Sequence, residues 1–352
     1  MFFIRVSLIN LKIHTLQREL MKTSISFAKF MMMASRATYI YEQTAKSREN
    51  KYKKDGKSLV SLVRADDRIS GYKKALELIG GVEPAIEGAE GSVMIKPNFN
   101  SHDPLPASTH PETISFAVDL LRENGIEPFI GEMSGPNWLP TRETMRKNGS
   151  LAIAEEKCVR VSFFDEGEWV LVRSEKEVLW DKGVIVAKDA YEADRILYFP
   201  CMKTHAPAGG ITMALKLTMG AIHPKNRMRI HRDRSNARKL IAEFNLFLPA
   251  DLILLDGTLA FISGGPAKGE VRKPGVVIAS GDRVAVDAVG ASILKALGAE
   301  PLEGKDIKKH DQIAWAENLG IGTTNIELLV EDLEGDPSFN ELVKYVEKEL
   351  GI

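Results

Sequence analysis

The chain has 352 residues, of which 44% are hydrophobic and 27% charged, so it can bury one large core or two smaller ones. Its net charge of −1 and pI near 6.7 give no general reason to expect nucleic acid or an anionic membrane as a partner. Its two cysteines, Cys158 and Cys201, are too few for a disulfide framework, a cysteine-only zinc site or an iron–sulfur cluster, which favours a cytoplasmic location.

Residues 1–57 differ from the rest of the chain in charge. They contain 12 Lys or Arg against 4 Asp or Glu, so the remaining 295 residues carry a net charge of −9. Lys and Arg interrupt every apolar run, and none approaches the ~20 apolar residues that span a bilayer. We interpret residues 1–57 as a basic, poorly ordered extension or linker; a targeting or lipid-surface arm is the alternative. Residues 58–352 then form the main α/β domain.

From Ser58 onward, short β-branched runs alternate with helical patterns, which is typical of βα units around a parallel sheet. The predicted strands are 59–63, 93–97, 128–131, 159–164, 195–199, 252–256 and 276–279. The predicted helices lie at about 69–79, 111–124, 142–149, 236–247, 283–297 and 338–349. The sequence therefore predicts an α/β fold with a mostly parallel sheet and flanking helices, in one lobe or two.

The second predicted strand ends in a cation and two amides, Lys96, Asn98 and Asn100. In an open α/β sheet, ligands bind beyond the carboxyl ends of the strands, so these side chains are candidates for substrate binding. Alternatively, Lys96 extends to water at the sheet edge and the asparagines shape a turn.

A second strand end carries Lys203, Thr204 and His205, followed by Gly209, Gly210 and Thr212. The two glycines allow the backbone to pass close to a ligand, and a helix beginning after them would direct its positive end there. We therefore expect this segment to bind the same anion as Lys96. Four arginines, Arg227, Arg229, Arg232 and Arg234, either clamp a phosphate or carboxylate or form a basic surface.

Lys216 stands out because it lies within an apolar run, residues 211–219. A lysine there must reach water or meet an acceptor, so it either points into a polar cavity or packs its stem and solvates its head. Three histidines, His205, His223 and His231, are candidate ligands of a divalent metal, with Asp233 as a fourth. Their spacings of 18 and 8 match no short helical pair, and each also fits a hydrogen-bonding role.

Two carboxylates complete the set of candidate catalytic residues. Asp256 ends a buried strand and precedes a loop that contains Gly264 and Gly265. Asp287 lies within the apolar helix 283–297, where it needs a partner such as Arg283 or Lys216. No Walker loop and no G-x-G-x-x-G motif follows a strand, so the sequence carries no nucleotide signature.

Together these segments resemble the domain of unknown function 362 family. The resemblance is carried in order by IKPNFN at 95–100, KTH at 203–205, GGITMALKLTMG at 209–220, LDG at 255–257, SGGPAKGE at 263–270 and ASGDRVAVDAVGA at 279–291. It spans about residues 59–297. Many members carry ferredoxin-type cysteine clusters that this chain lacks, which argues against an electron-transfer role here. The chemistry of the family is unassigned, so the resemblance implies a fold and motif positions without a reaction.

The leading hypothesis is an enzyme that acts on a small carboxylate or phosphate by acid–base chemistry. Lys216 or His205 would move a proton, with Asp256 and Asp287 tuning them. A non-catalytic protein that holds a metabolite or metal is the first alternative. The second follows a resemblance to nickel-pincer lactate racemases, in which a histidine and a downstream lysine hold the cofactor, as His205 and Lys216 would here. All versions require Lys96, Lys203, Lys216 and Asp256 to meet at one rim of the sheet; the oligomeric state stays open.

Overall fold

A computed structural model describes residues 41–135, 139–206 and 210–352. The strands are β1 Glu42–Thr44, β2 Lys53–Lys54, β3 Lys57–Arg64, β4 Val93–Pro97, β5 Pro128–Glu132, β6 Arg160–Phe163, β7 Trp169–Arg173, β8 Val184–Ala187, β9 Arg195–Phe199, β10 Cys201–His205, β11 Gly210–Thr212, β12 Leu252–Gly264, β13 Gly269–Arg272, β14 Val276–Ser280 and β15 Ile326–Asp332.

The helices alternate with these strands, as the sequence pattern predicts. They are α1 Arg68–Ile79, α2 Glu83–Ile86, α3 Pro111–Glu123, α4 Thr141–Asn148, α5 Ser150–Glu156, α6 Lys188–Glu192, α7 Ala214–Leu217, α8 Pro224–Arg232, α9 Ala237–Glu243, α10 Arg283–Ala296, α11 Asp311–Asn318 and α12 Pro337–Leu350. Short 3-10 turns cover Thr218–Ala221, Phe244–Leu246, Glu300–Leu302 and Ile307–Lys309.

Within the described residues the main sheet has twelve strands, eight of them in the order β15-β3-β14-β12-β9-β4-β5-β6. The run from β12 to β6 is parallel throughout, while β14 is antiparallel to both β12 and β3. The predicted α/β fold with a mostly parallel sheet is therefore confirmed.

Alternation along the central strands builds a hydrophobic core on each face of the sheet. In β4, Val93 and Ile95 pack with Tyr72 of α1 and Leu121 of α3, whereas Met94 faces the opposite core. Because both faces are covered, β4 is buried along its whole length.

A second sheet, in the order β1-β7-β8, packs against the core that contains Met94. Its strand β1 comes from the segment before residue 58, where β2 also forms a hairpin with β3 and Tyr52 is only 1% exposed. Residues 41–57 thus contribute to both sheets, although most side chains of 51–57 are exposed, as their charge suggests. Residues 1–40 of the extension predicted for 1–57 lie outside the described residues.

Strand β12 is longer than predicted, and its added length positions β10, the strand that carries Lys203, Thr204 and His205. Its start pairs with β9, and farther along it pairs with β10, which therefore continues the sheet beyond Phe199. The predicted helix follows Gly210, but not directly: residues 210–212 first form β11, antiparallel to β10, and the helix begins at Ala214. Pairing with β10 satisfies backbone hydrogen-bonding groups of residues 210–212.

Candidate functional site

A cleft of about 50 Å³ opens beyond the carboxyl ends of β4 and β5, beneath β11 and α7. This volume is small beside the roughly 300–1,000 Å³ of typical ligand pockets, so the cleft suits the anionic group of a small molecule. The cleft is lined by Asn98, Asn100, Glu132, Met133, Gly135, Thr212, Lys216, Leu217, Met219, Gly220, Arg227 and Pro266. Four of these, Asn98, Asn100, Thr212 and Lys216, were predicted site residues.

A buried ion pair forms the floor of the cleft. Lys96 Nζ donates to Glu132 Oε2 at 2.6 Å and to the Pro97 carbonyl at 2.8 Å, and neither residue is more than 2% exposed. Glu132 also accepts hydrogen bonds from the backbone N–H groups of Phe99 and Met133. Burial lowers the pKa of Lys96, and Glu132 opposes that shift. Lys96 therefore does not reach water at the sheet edge, and its ammonium group already has an anionic partner.

Lys203 is also fully buried, but no carboxylate pairs with it among the described residues. Its Nζ donates to the carbonyl groups of Pro106 at 3.2 Å and of Ala107, which also accepts from Asn98 Nδ2. Burial lowers the pKa of Lys203 to about 8, with Cys201 and Glu132 opposing the shift. Its charge contributes to the potential of the cleft while its donors hold the loop.

Strands β10 and β11 present several predicted residues on one face. Lys203 lies opposite Thr212, and His205 opposite Gly210, and directly opposed residues of an antiparallel pair point to the same side. The Thr212 side chain is 7% exposed, and its Oγ1 has no hydrogen-bond partner among the residues that the structure describes. A buried hydroxyl in that state is ready to bind a ligand. Gly209 lies outside the described residues.

Thr204, Gly264 and Gly265 form a backbone contact beside the cleft. Gly265 has φ +73°, and a Cβ there would collide with the Thr204 carbonyl oxygen, so the position requires glycine. Thr204 Oγ1 donates to the Gly264 carbonyl at 3.5 Å. These three residues place Pro266 against the cleft, and none of them is among the residues that line it.

Lys216 lies on α7 and is partly exposed to the cleft. Among the described residues, its Nζ makes no hydrogen bond and no ion pair. Burial, together with the charges of Lys203 and Arg227, lowers its pKa to about 7. The prediction that Lys216 points into a polar cavity agrees with this placement.

Arg227 of α8 is the third cation of the cleft. It is 7% exposed, and its Nε and Nη2 donate to the carbonyl groups of Ile222 at 2.8 Å and Met133 at 3.4 Å. Burial lowers its pKa to about 10, opposed by Glu132 and Asp165. No carboxylate forms an ion pair with Arg227 in the part of the chain that the structure describes.

The three candidate metal ligands do not assemble. His205 is 7% exposed, and its pKa falls to about 2 because of burial and the charges of Lys216, Lys203 and His231. His223 instead caps α8 by accepting from the Lys225 N–H, and its ring lies edge-on to Trp169 at 4.7 Å. Residues 41–135, 139–206 and 210–352 contain no group of three or more His, Cys, Asp or Glu placed to hold a metal ion.

Asp256 lies on the other face of the sheet. It pairs with Arg68 of α1 at 3.1 Å and accepts from Thr258, and Arg68 also bonds Glu112 of α3. The expected meeting of four side chains at one rim is therefore corrected: Lys96, Lys203 and Lys216 surround the cleft region, and Asp256 does not.

Asp287 is fully buried and caps α7 from α10. It accepts from the N–H groups of Ala214 at 2.7 Å and Leu215 at 3.2 Å, and from Gln312 Nε2. Burial raises its pKa to about 7, and those hydrogen bonds oppose the shift. The expected pairing with Lys216 or Arg283 is replaced by these backbone contacts, because Arg283 donates to Asn245 and Leu248. Asp287 thus positions the helix that carries Lys216.

Glu132 was missed by the sequence reasoning. It is the last residue of β5, one position beyond the predicted end of that strand at residue 131. A carboxylate at the end of a strand next to β4 was a usable signal, given that Lys96 ends β4 in the same way.

The family model described as "Domain of unknown function (DUF362)" matches residues 93–292, which is more than half of the chain. The chain belongs to the DUF362 family. The matched range contains the whole cleft and lies within the resemblance seen in the sequence.

One relative of this DUF362 chain is the "Thylakoid-associated protein sll1697" of Synechocystis sp., 26% identical over 280 residues, covering 76% of this chain and 82% of the relative. A solved structure, the lactate racemase apoprotein from Thermoanaerobacterium thermosaccharolyticum, aligns with a TM-score of 0.36 and 15% identity over 86% of this chain and 90% of the other. That similarity is too low to support an argument about function. Across the described ranges, no helix is long and apolar enough to cross a membrane.

Proposed function

We propose that this DUF362 protein binds a small carboxylate- or phosphate-bearing metabolite in the cleft and acts on it by acid–base chemistry. One observation supports this above all: three cations, Lys203, Lys216 and Arg227, lie together with no carboxylate in an ion pair with any of them among the described residues. Among the described residues that line the cleft, the only carboxylate is that of Glu132, which Lys96 binds. Because unpaired buried charge is costly, a bound anion would be strongly favoured.

Lys216 is the better candidate for proton transfer. A general acid or base works best when its pKa is near the operating pH, and the pKa of Lys216 is about 7. His205, with a pKa of about 2, stays neutral at physiological pH and serves as a hydrogen-bonding group instead. Asp287 positions Lys216 indirectly, because it caps α7, the helix that carries Lys216.

Several groups around the cleft are available to bind the anion. Arg227 and Lys216 supply positive charge to the anion, and Thr212 Oγ1 offers an unused hydroxyl. Asn98 and Asn100 add amide groups to the same cleft. The absence of a nucleic-acid partner and the cytoplasmic location remain predictions from composition.

The experiment is calorimetric titration of the purified chain with inorganic phosphate, pyruvate and lactate. We expect Lys216→Met to weaken binding of the anion that binds best by roughly 10- to 100-fold, because one charge-assisted hydrogen bond contributes about 1.5–3 kcal/mol. Lys309→Met is the matched control, since the Lys309 side chain is 84% exposed and distant in sequence from every cleft residue.

Equal affinities in the wild type and Lys216→Met would contradict the proposal. Binding that depends on Lys216 but leads to no chemical change in any tested anion would favour the alternative of a non-catalytic metabolite-binding protein.

A further inference from the structure

Lys216 differs from the two neighbouring lysines in having an accessible amine. Lys96 and Lys203 are both fully buried, and each Nζ is occupied, by Glu132 and Pro97 in one case and by two loop carbonyls in the other. Lys216 lines the cleft, is partly exposed, and makes no hydrogen bond or ion pair among the described residues. A substrate entering the cleft therefore reaches the amine of Lys216 and not those of the other two.

We infer that Lys216 is a nucleophile that forms an imine with the carbonyl carbon of a small oxo acid, such as a 2-oxo carboxylate, held in the cleft. This inference rests on the proposed function and names its substrate class. The anionic group of the substrate would bind the cations of the cleft, and its carbonyl group would react with the amine of Lys216.

The surroundings of Lys216 favour the neutral amine that this reaction requires. The charges of Lys203 and Arg227 both lower the pKa of Lys216. A lysine that is desolvated beside another cation loses its proton readily. Within the described part of the chain, no carboxylate forms an ion pair with Lys216 that would stabilise its ammonium form. With a pKa of about 7, a large fraction of the amine is free at neutral pH.

The chemistry is balanced without any oxidant or reductant. The lone pair of Lys216 Nζ forms a bond to the carbonyl carbon, and the π electrons of the C=O bond move to oxygen, which takes up one of the two protons of the attacking nitrogen. The resulting carbinolamine then loses its hydroxyl group and one proton from nitrogen as water, leaving C=N. The buried Thr212 Oγ1, which has no hydrogen-bond partner in residues 41–135, 139–206 and 210–352, is available to hydrogen-bond the carbinolamine hydroxyl.

Arg227 completes the arrangement by binding the carboxylate of the same molecule. Its Nε and Nη2 are held by backbone carbonyls, which fixes the guanidinium against the cleft wall. Asn100 Oδ1 and Arg227 Nη1 lie on the same side of the cleft, beside Gly135, because a Cβ added to that glycine would be within 3.4 Å of both atoms. Arg227 and Lys216 line the same small cleft, so a 2-oxo acid whose carboxylate binds Arg227 has its carbonyl group in the cleft that Lys216 also lines.

The experiment traps the imine. The full chain is incubated with pyruvate or glyoxylate and sodium borohydride, and its intact mass and peptide map are recorded. The expected result is one adduct per chain, with the mass of the probe less one oxygen atom, located on Lys216. Lactate and glycolate, which lack the carbonyl group, should give no adduct.

Matched variants separate the nucleophile from the charge. Lys216→Met should remove the adduct, and Lys216→Arg, which keeps a cation in the cleft, should remove it as well. Lys309→Met should react like the wild type. Unchanged labelling in Lys216→Arg, or adducts spread over surface lysines, would overturn the inference.

Calorimetric titration with pyruvate separates failure of the imine from failure of the proposed acid–base function. Pyruvate that binds in a Lys216-dependent manner but is not trapped overturns the imine alone, and leaves the acid–base proposal in place. If no anion binds and nothing is trapped, both fail.

Discussion

Two clusters of buried charge lie at the main sheet, and they differ in how completely the chain supplies their counter-ions. On the α1 and α3 face, Asp256 has Arg68 as its partner, and Arg68 also bonds Glu112. At the cleft, Lys203, Lys216 and Arg227 have no such carboxylate among the described residues. A charged strand end is thus structural where the chain supplies the counter-ion, and a candidate binding site where it does not.

The largest effect should come from the one ion pair inside the cleft. Glu132→Ala leaves Lys96, which is 0% exposed, without an anionic partner, and removing one member of a buried pair costs about 3–5 kcal/mol. Urea denaturation would measure the free energy of unfolding. A loss below about 1 kcal/mol would show that Lys96 finds another partner or releases its proton at little cost.

A smaller loss should follow from the other face. Asp256→Asn weakens a charged contact with Arg68, so we expect a loss of about 1.5–3 kcal/mol in unfolding free energy. Anion affinity should stay unchanged, because Asp256 lies away from the cleft. A parallel drop in anion affinity would mean that the two faces are coupled and that their separation has no functional meaning.

The pH dependence of the unfolding free energy should isolate Lys216. Its folded pKa of about 7 lies below the usual value of 10.5, so between these values the unfolded state binds more protons. The penalty for its burial is therefore fully present below pH 7 and is relieved as pH rises towards 10.5. Lys216→Met removes this increase, and the difference between the two proteins should shrink as pH rises through this window.

The same shift predicts the pH dependence of binding. Anion affinity should fall as pH rises through about 7, where Lys216 loses its charge. The fall should be smaller in Lys216→Met, where Lys203, with a pKa of about 8, and Asp287, with a pKa of about 7, are the remaining groups that titrate in this range. His205 and His231 also face this region, but their pKa values are lowered, so both are already neutral in this range. A midpoint well below pH 7 would assign the effect to a histidine.

The smallest effect should be at the exposed end of the paired cluster. The side chain of Glu112 is 49% exposed, and surface ion pairs contribute about 0–1 kcal/mol. Glu112→Gln should therefore change the unfolding free energy by less than about 1 kcal/mol, and only at low salt. A larger loss would show that Arg68 requires both carboxylates.

The central strands were predictable because burial on both faces makes them continuous apolar runs. The bounds of β4 and β9 match the sequence prediction residue for residue. Strands β7 and β8 were missed because exposed charges surround them, and β11 because three residues become a strand only through pairing with β10. Local pattern does not contain such long-range pairing.

The face occupied by Asp256 could not be read from its position at a strand end alone. Lys96 pairs with Tyr198, and Tyr198 pairs with Ile253, so these three side chains share a face. Asp256 is three residues beyond Ile253, and an odd step in a strand reverses the side. Assigning Lys96 and Asp256 to different faces of the sheet thus required the register of two strand pairs, which the sequence does not show. The polar surroundings of Lys216, in contrast, were predictable from the apolar run in which it lies.

Gly220 has a consequence for how this cleft can change over evolutionary time. A Cβ at this position would collide with Glu132 Oε1 and Lys96 Nζ, and would lie 2.8 Å from Lys96 Cε. Three segments far apart in the chain therefore interlock, and a larger residue at one position requires smaller ones at the others. We expect these three positions to covary among DUF362 proteins, so a relative with a side chain at this glycine position should have lost the lysine–glutamate pair as well.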